Sequence, residues 1–587
     1  MKPVGDGAKP LVARWQIVLA IMLAFGTLLY LDSRGHSAEY LPSIWLVTLT
    51  QAKQLPFLIW LLLSPLCLLG SRNSTQLDNS PSIVQPPSAR SRMIVSILAG
   101  AFGFGVAAWF GWDIRDLPPR VHDEYSYLLQ AETFLAGRLS WPAPPASDHF
   151  HEVHVLMADG VLASRYFPAT GAWIVSFLGM GHLFLAPWLA QGVIAGFMTA
   201  AASRFSLVAG MATGLLISTC PALVMFGNTY LSPHPTMMGL AIAWWAFQES
   251  FFSRNRWWSI VVGAAVGWAF LARPLTAAAI AGSWGLYSVW RSVGATAYRR
   301  HVIWMIVGFL PAVLLMAAYN HAITGDIRVT PYGKYTAAYT PSHVYGFYNR
   351  TRGIAAHEPR TIDAYEEWVK ELTPERSVQL FFRRWENALP WMGGCIPVIV
   401  LFTLGILQCR SGGDRVVLPL LSTLLLSLAY LPYFFEGVMG FSYIIEALPW
   451  VFLMMGFAFN RVAESFKLRG QTWLTLWWSL LLVVTTAVNL FVTLPDAMSP
   501  DSEFVHPRIV AAERIEKEKE LCGRERCLIL YDISQKSDLH IMWVNNHPSF
   551  DAPIIRALAL DDIDPVLKAF PDRKVFLFRN GQYEKIR

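Results

Sequence analysis

Apolar runs long enough to cross a bilayer recur along this chain, and they restrict its fold more than any other feature. A span needs about 20 predominantly apolar residues, because backbone amides and carbonyls inside hydrocarbon must bond within their own helix. Marked off between polar breaks, such runs begin near residues 14, 52, 94, 185, 205, 235, 258, 275, 302, 392, 416, 441 and 473. That is roughly thirteen spans by hydropathy. Composition agrees: 54% of the 587 residues are hydrophobic and 15% charged, where soluble domains carry about 25% charged. The expected class is an all-α polytopic membrane protein. Its formal charge of +6 belongs to cytoplasmic loops rather than to nucleic acid, for which no motif is present.

Lys and Arg collect in alternate loops. Arg72, Arg90 and Arg92 fall on one side with Arg204, Arg254, Arg256, Arg291, Arg299, Arg300, Arg410, Arg415, Arg461, Lys467 and Arg469. The turns Gly227 to Pro235 and Phe434 to Gly440 carry none. By the positive-inside rule the first group is cytoplasmic, which puts the loops 113–170 and 320–390 and the tail 494–587 outside. Lys2, Lys9 and Arg14 precede the run Trp15 to Leu31. No small-residue cleavage site follows, so this run reads as a retained span. Three parts are expected: residues 1–92, a two-span appendage ending in the Ser/Pro/Asn-rich linker Ser71 to Arg92; residues 93–493, the main bundle; and residues 494–587, a small α/β domain. That last domain is signalled by dispersed charge and by β-like runs at Cys527 to Tyr531, Ile541 to Val544 and Lys574 to Phe578. Of six cysteines, only Cys522 and Cys527 are close neighbours. In an oxidising compartment they form a disulfide; otherwise they remain two thiols.

Within this frame His122-Asp123-Glu124 stands out, because acidic residues at the mouth of an apolar bundle are costly and usually serve chemistry or transport. The apolar positions Leu128, Leu129, Ala131, Phe134 and Leu135 that follow have helical spacing, which predicts an amphipathic surface helix. The carboxylates then either complement the helix dipole, or Asp123 is a general base accepting a proton from an acceptor hydroxyl or amine. In the second case Glu124 orients Asp123 or touches the acceptor. Asn228, Tyr230, Ser232 and His234 sit in a short polar turn, where His234 is an interface residue or a substrate contact. Arg273 ends a helix and either caps it or holds a phosphate. His149, His151, Glu152 and His154 offer imidazole and carboxylate ligands suited to Zn or Mn. An extended strand there would put His149 and His151 on one face and His154 on the other. A divalent metal is one reading of this segment; a solvated or acceptor-binding loop is the other. The loop 320–390 contains a Tyr-rich stretch, Pro331 to Tyr348, and a helical-looking one, Thr361 to Leu372.

The Asp123-Glu124 pair in the first large loop, the surface helix after it, and Ser164-Arg165-Tyr166-Phe167-Pro168 before a second surface helix resemble the C-type (GT-C) glycosyltransferase superfold. The pattern is similar to that of protein O-mannosyltransferases and of the aminoarabinose transferases that modify lipid A. The resemblance covers about residues 94–492. It implies a catalytic acidic residue in that loop, a sugar donor on a polyprenyl phosphate, and inversion at the sugar carbon by direct displacement. It also implies an extracytoplasmic acceptor that is a lipid, a glycan or a protein. Asp123 and Glu124 become the catalytic candidates. His122, Tyr125, Arg165, Tyr166, Asn228, His234 and Arg273 become the substrate contacts, with Arg165 on the donor phosphate through its paired donors. The setting implied is a bacterial inner (plasma) membrane, with site and tail on the outer side and membrane lipids as neighbours. Two departures stand out. Phe167 replaces the first Pro of a Tyr-Pro-Pro pattern, and no basic residue accompanies Tyr443, Glu446 and Pro449 where the family often has one. In the tail, His540 to Asn546 and Phe570 to Phe576 resemble uncharacterised bacterial glycosyltransferases of this kind. A transporter or flippase is the alternative. Against it, no internal repeat and no acidic residue in the middle of several spans is evident.

Overall fold

The computed structural model describes residues 16–24, 87–253, 255–294, 296–348, 369, 372–407, 413–532 and 546–587. The two-span appendage, its linker, the expected helix over 361–372 and the β-like run 541–544 lie wholly or largely outside these residues.

The bundle opens with α1 (Ala89–Gly111), capped by Ser88 Oγ, which accepts from the Ser91 amide. A polar excursion follows: α2 (His122–Leu135), strands β1 (Trp141–Pro142), β2 (Val155–Leu156) and β3 (Val161–Ser164), and α3 (Pro168–Leu178). The chain returns through α4 (Leu185–Ser203), α5 (Leu207–Thr219), α6 (Pro221–Phe226), α7 (Pro233–Ser253), α8 (Arg256–Ala272), α9 (Pro274–Gly294) and α10 (Thr296–Thr324). Next come α11 (Pro331–Tyr339), α12 (Pro374–Ala388), α13 (Cys395–Leu407), α14 (Asp414–Ala429), α15 (Leu448–Leu468) and α16 (Thr472–Val488). Proline at the first turn opens α3, α6, α11 and α12, where its fixed φ helps and its missing N–H costs nothing.

Among the described residues, five helices are long and apolar enough to cross a membrane: Ala89–Ile114, Leu185–Ser203, Tyr298–Thr324, Ile445–Leu468 and Thr472–Ala497. The bent pair Pro374–Met392 and Pro397–Leu407 makes a sixth if taken as one span. The described residues thus carry fewer full-length apolar helices than the thirteen expected runs, and the runs near 14 and 52 lie largely outside them. Several of those runs form shorter helices, such as α5 with 13 residues and α8 with 17. Others dilute their apolar face, as α7 does with His234, Gln248 and Glu249. Helices approach closely where glycine permits it. A Cβ on Gly263 would lie 2.0 Å from Met305 O, and one on Gly308 2.2 Å from Ile260 O, so α8 and α10 touch backbone to backbone, the small-residue packing that lipid-embedded helices favour.

The tail contributes α17 (His506–Cys522), β4 (Cys527–Tyr531), β5 (Ile554–Leu558), α18 (Asp564–Ala569), β6 (Lys574–Arg579) and β7 (Gln582–Lys585). Its strands form one sheet in the order β5-β4-β6-β7, parallel around β4 and antiparallel between β6 and β7. The central β4 is buried along its whole length, as its continuous apolar run requires of a parallel strand. Asn580 and Gly581, both at positive φ, make the tight turn between β6 and β7. A disulfide joins Cys522 to Cys527, tying the end of α17 to the start of β4. The domain packs onto the excursion after α1. Tyr125 of α2 joins Cys522, Ile529 and Tyr531 in one cluster, and Phe150 joins Leu528, Ile555 and Val575 in another.

Candidate functional site

The N-terminus of α2 separates the two acidic neighbours. Glu124 folds back so that Oε2 accepts from the amides of Arg120 (2.9 Å) and Val121 (3.4 Å), satisfying donors that a helix start leaves open. Its other oxygen accepts from the Tyr230 amide (3.1 Å) and from Arg508 Nη2 (3.3 Å), and the side chains of Glu124 and Arg508 are fully buried. Asp123, one residue earlier and so about 100° around the helix, lines a cavity of about 920 Å³. It keeps 34% of its side-chain surface open.

Three groups hold Asp123. Tyr166 OH donates to Oδ1, and His154 Nε2 lies 3.5 Å from Oδ2. Behind it, Arg165 Nη1 is 3.1 Å from His154 Nδ1. Because a guanidinium can only donate, Nδ1 is the acceptor, and the ring proton of neutral His154 sits on Nε2, facing Asp123. Burial pushes the Asp123 carboxyl upward, but His154, Tyr166 and Arg165 together outweigh it and hold it well below the usual carboxylate range. Burial, the dominant influence, lowers the His154 imidazole; the attraction of Asp123 does not overcome it.

The loop carrying His154 is fixed from both sides. His154 has φ +71°, a left-handed conformation that costs about 1 kcal/mol or more and persists only where the surroundings dictate it. Here its amide donates to Tyr335 OH (3.1 Å), and its carbonyl accepts from Ser126 Oγ (2.7 Å) and the Arg165 amide (3.1 Å). Arg165 is itself buried, with its guanidinium 3.7 Å from the centre of the Tyr332 ring and 4.6 Å from that of Tyr335, and this stacking suits arginine. Across the cavity Arg273, at the C-terminal end of α8, pairs with Glu446 and donates to Tyr430 OH (3.2 Å). Tyr345, Tyr433 and Tyr443 continue that wall, and α17 supplies another through His506, Val510 and Arg514.

Of the residues singled out from sequence, the cavity gathers His122, Asp123, His154, Arg165, Tyr166 and Arg273, together with Phe167, Ser232 and Tyr443. Glu124 turns away into the fold. Tyr125 packs on the tail domain, and its hydroxyl donates to Pro119 O (3.3 Å). Asn228 bonds Trp188 Nε1 (2.8 Å), Ala107 O (3.2 Å) and Val224 O (2.9 Å) inside the bundle, and His234 meets Gln191 (3.0 Å) there. The extended strand expected for the histidine-rich segment does not form: Ser147–Phe150 is a 3-10 turn, and only Val155–Leu156 pairs as strand. The histidines consequently diverge, His149 to Leu558 O (2.9 Å), His151 onto the Tyr339 ring (4.4 Å) and His154 to Asp123. Among the described residues no three His, Cys, Asp or Glu side chains converge as metal ligands. The tyrosines of the cavity wall were partly signalled by the Tyr-rich stretch 331–348. Nothing in the sequence signalled that α17 would reach the same cavity.

No protein-family model matches the sequence, and no curated protein matches it. Among solved structures the chain is similar to ArnT from Cupriavidus metallidurans bound to undecaprenyl phosphate, at 14% identity and a TM-score of 0.47, covering 84% of this chain and 92% of that one. It is similar also to the apo state of the same protein, at 13% identity and a TM-score of 0.47, covering 84% and 93%. At that distance the likeness carries neither activity nor ligand across to this chain.

Proposed function

We propose that this chain is a membrane glycosyltransferase that moves a sugar from a polyprenyl-phosphate donor to an extracytoplasmic acceptor, with Asp123 as the catalytic carboxylate. One observation carries the proposal. An aspartate held by Tyr166 and His154 opens into a large cavity whose walls carry the buried Arg165 and the part-buried Arg273. The motif resemblance of Asp123-Glu124 and Ser164 to Pro168 supports it independently.

In this mechanism the acceptor hydroxyl or amine hydrogen-bonds to Asp123, which leaves a lone pair aimed at the anomeric carbon. As the new bond from the acceptor oxygen or nitrogen to that carbon forms, the bond from that carbon to the donor phosphate oxygen breaks on the opposite face and its electron pair goes to the phosphate oxygen. The acceptor's proton passes to Asp123. A carboxylate of depressed pKa is a weak base, so it takes the proton late, once the new bond has made the acceptor acidic. Arg165 and Arg273 neutralise the charge growing on the leaving phosphate. In the resting protein Arg273 is paired with Glu446, so a donor phosphate competes with that carboxylate.

Purified wild type and Asp123→Asn in detergent, offered a panel of polyprenyl-phosphate sugars, test the proposal through release of free carrier. Wild type is expected to consume at least one donor, and the variant, folded as judged by its melting temperature, to be slower by about 10²–10⁴-fold. If neither consumes any donor while a substrate crosses proteoliposomes in an Asp123-dependent manner, the chain is a transporter instead.

A further inference from the structure

Helix α17 has two faces. Arg508, Ala511, Glu518 and Cys522 are buried in the fold, while His506, Val510 and Arg514 line the cavity. An i, i+4, i+8 row lies along one side of a helix, so this second face is continuous. Its position is fixed by Arg508, whose buried Nη2 donates to Glu124 Oε1 (3.3 Å) and to Asn228 O (3.2 Å). The tail domain is therefore anchored to the residue next to Asp123.

The cavity lining is strongly cationic: Arg120, Arg165, Arg273 and Arg514 stand against Asp123. Arg165 has partners in His154 and the tyrosine rings, Arg273 in Glu446, and Arg120 lies 5.8 Å over the Phe504 ring. On the α17 side Glu124 and Glu518 are already engaged, while Glu503 attracts Arg120 without pairing with it. Glu124 is taken by Arg508 and backbone amides, and Glu518 by Arg556 (2.6 Å) and the Tyr531 hydroxyl. Among the described residues neither Arg120 nor Arg514 forms an ion pair, and Arg514 Nη1 is buried without a hydrogen-bond partner. Arg514 is part-buried and feels Glu518, but a buried N–H left unbonded is costly, and an anion bound through charge-assisted hydrogen bonds removes that cost.

Resting on the transferase reading above, we propose that the cavity face of α17 is the acceptor subsite, and that Arg514, His506 and Arg120 take a negatively charged group of the acceptor, a phosphate or a carboxylate. The tail domain is then part of the binding site rather than an appendage beside it.

The test is calorimetric titration of inorganic pyrophosphate into the full-length protein in detergent, preloaded with undecaprenyl phosphate to occupy the donor wall. Wild type is expected to bind pyrophosphate. Arg514→Gln is expected to weaken binding about tenfold, and Arg514→Lys to recover part of it. His506→Asn serves as the second variant should Arg514→Gln not fold. In the transfer assay Arg514→Gln is expected to raise the acceptor KM by about tenfold and the donor KM by less than about twofold. Pyrophosphate binding that is absent from wild type, or unchanged in both variants, overturns the subsite even where donor is consumed, and so does a rise confined to the donor KM. Binding that needs Arg514 in a protein that consumes no donor overturns the acceptor assignment together with the transferase reading.

Discussion

At the scale of single residues, burial decides what each carboxylate near the cavity does. Asp123 stays ionised because donors surround it; Glu124 is used up in capping and pairing. Glu152 is neither, since it is 6% exposed and burial, with nearby Glu132 adding to it, raises its carboxyl from an ordinary 4.5 to about 8. Burial likewise raises Glu132 to about 7. For a group whose folded pKa lies above its unfolded one, the folded state binds more protons between the two values. The stabilising contribution of Glu152 is therefore complete below pH 4.5 and is lost as pH rises through about 8. Thermal unfolding in detergent should show wild type losing stability from pH 5 to 8, on the order of a few kcal/mol. Glu152→Gln should flatten that slope and melt higher than wild type at pH 8. An identical slope in the two proteins would exclude Glu152 as its source.

At the scale of elements, α2 and α17 are the pair whose mutual placement matters, although 384 residues separate Glu124 from Arg508. Both charges are fully buried, so removing Arg508 leaves Glu124 without its counter-ion and with only backbone amides as donors, at about 3–5 kcal/mol. Arg508→Ala should lower the melting temperature of the purified protein markedly, and Arg508→Lys, which keeps the charge, should lower it less. Proteolysis should cut sooner between α16 and α17 in the alanine variant. A melting temperature equal to wild type in Arg508→Ala would mean that other contacts hold the tail domain in place. The elements themselves were unevenly legible. The apolar row after Glu124 marked α2, and β4 and β6 coincide with the expected β-like runs. By contrast β5 and β7 carried no signal strong enough to mark them, because Ile554–Leu558 is interrupted by Arg556 and Gln582–Lys585 has Tyr583 as its one apolar position. Arg556 is tolerated inside a strand because Glu518 of α17 pairs with it, a partner remote in sequence.

At the scale of the whole molecule, the Cys522–Cys527 disulfide reports the side of the membrane on which the tail domain lies. Disulfides persist in oxidising compartments and not in the cytosol, so the proposed extracytoplasmic tail should carry this bond in cells. Intact cells treated with a membrane-impermeant maleimide should label Cys522 and Cys527 only after reduction; labelling without reductant only in lysed cells would place the tail inside. By itself the sequence determined the membrane setting, the presence of a helix at Asp123 and that of a charged tail with strands, since hydropathy, helical spacing and composition act over neighbouring residues; that this helix is largely buried in the fold was not legible there. Only the tertiary structure decided that Asp123 faces the cavity while Glu124 faces the fold, that the three histidines diverge, that Asn228 and His234 serve the bundle, and that Arg514 reaches the site. Each of these depends on contacts between residues far apart in the chain, where direction and burial set the chemistry and residue type alone leaves it open.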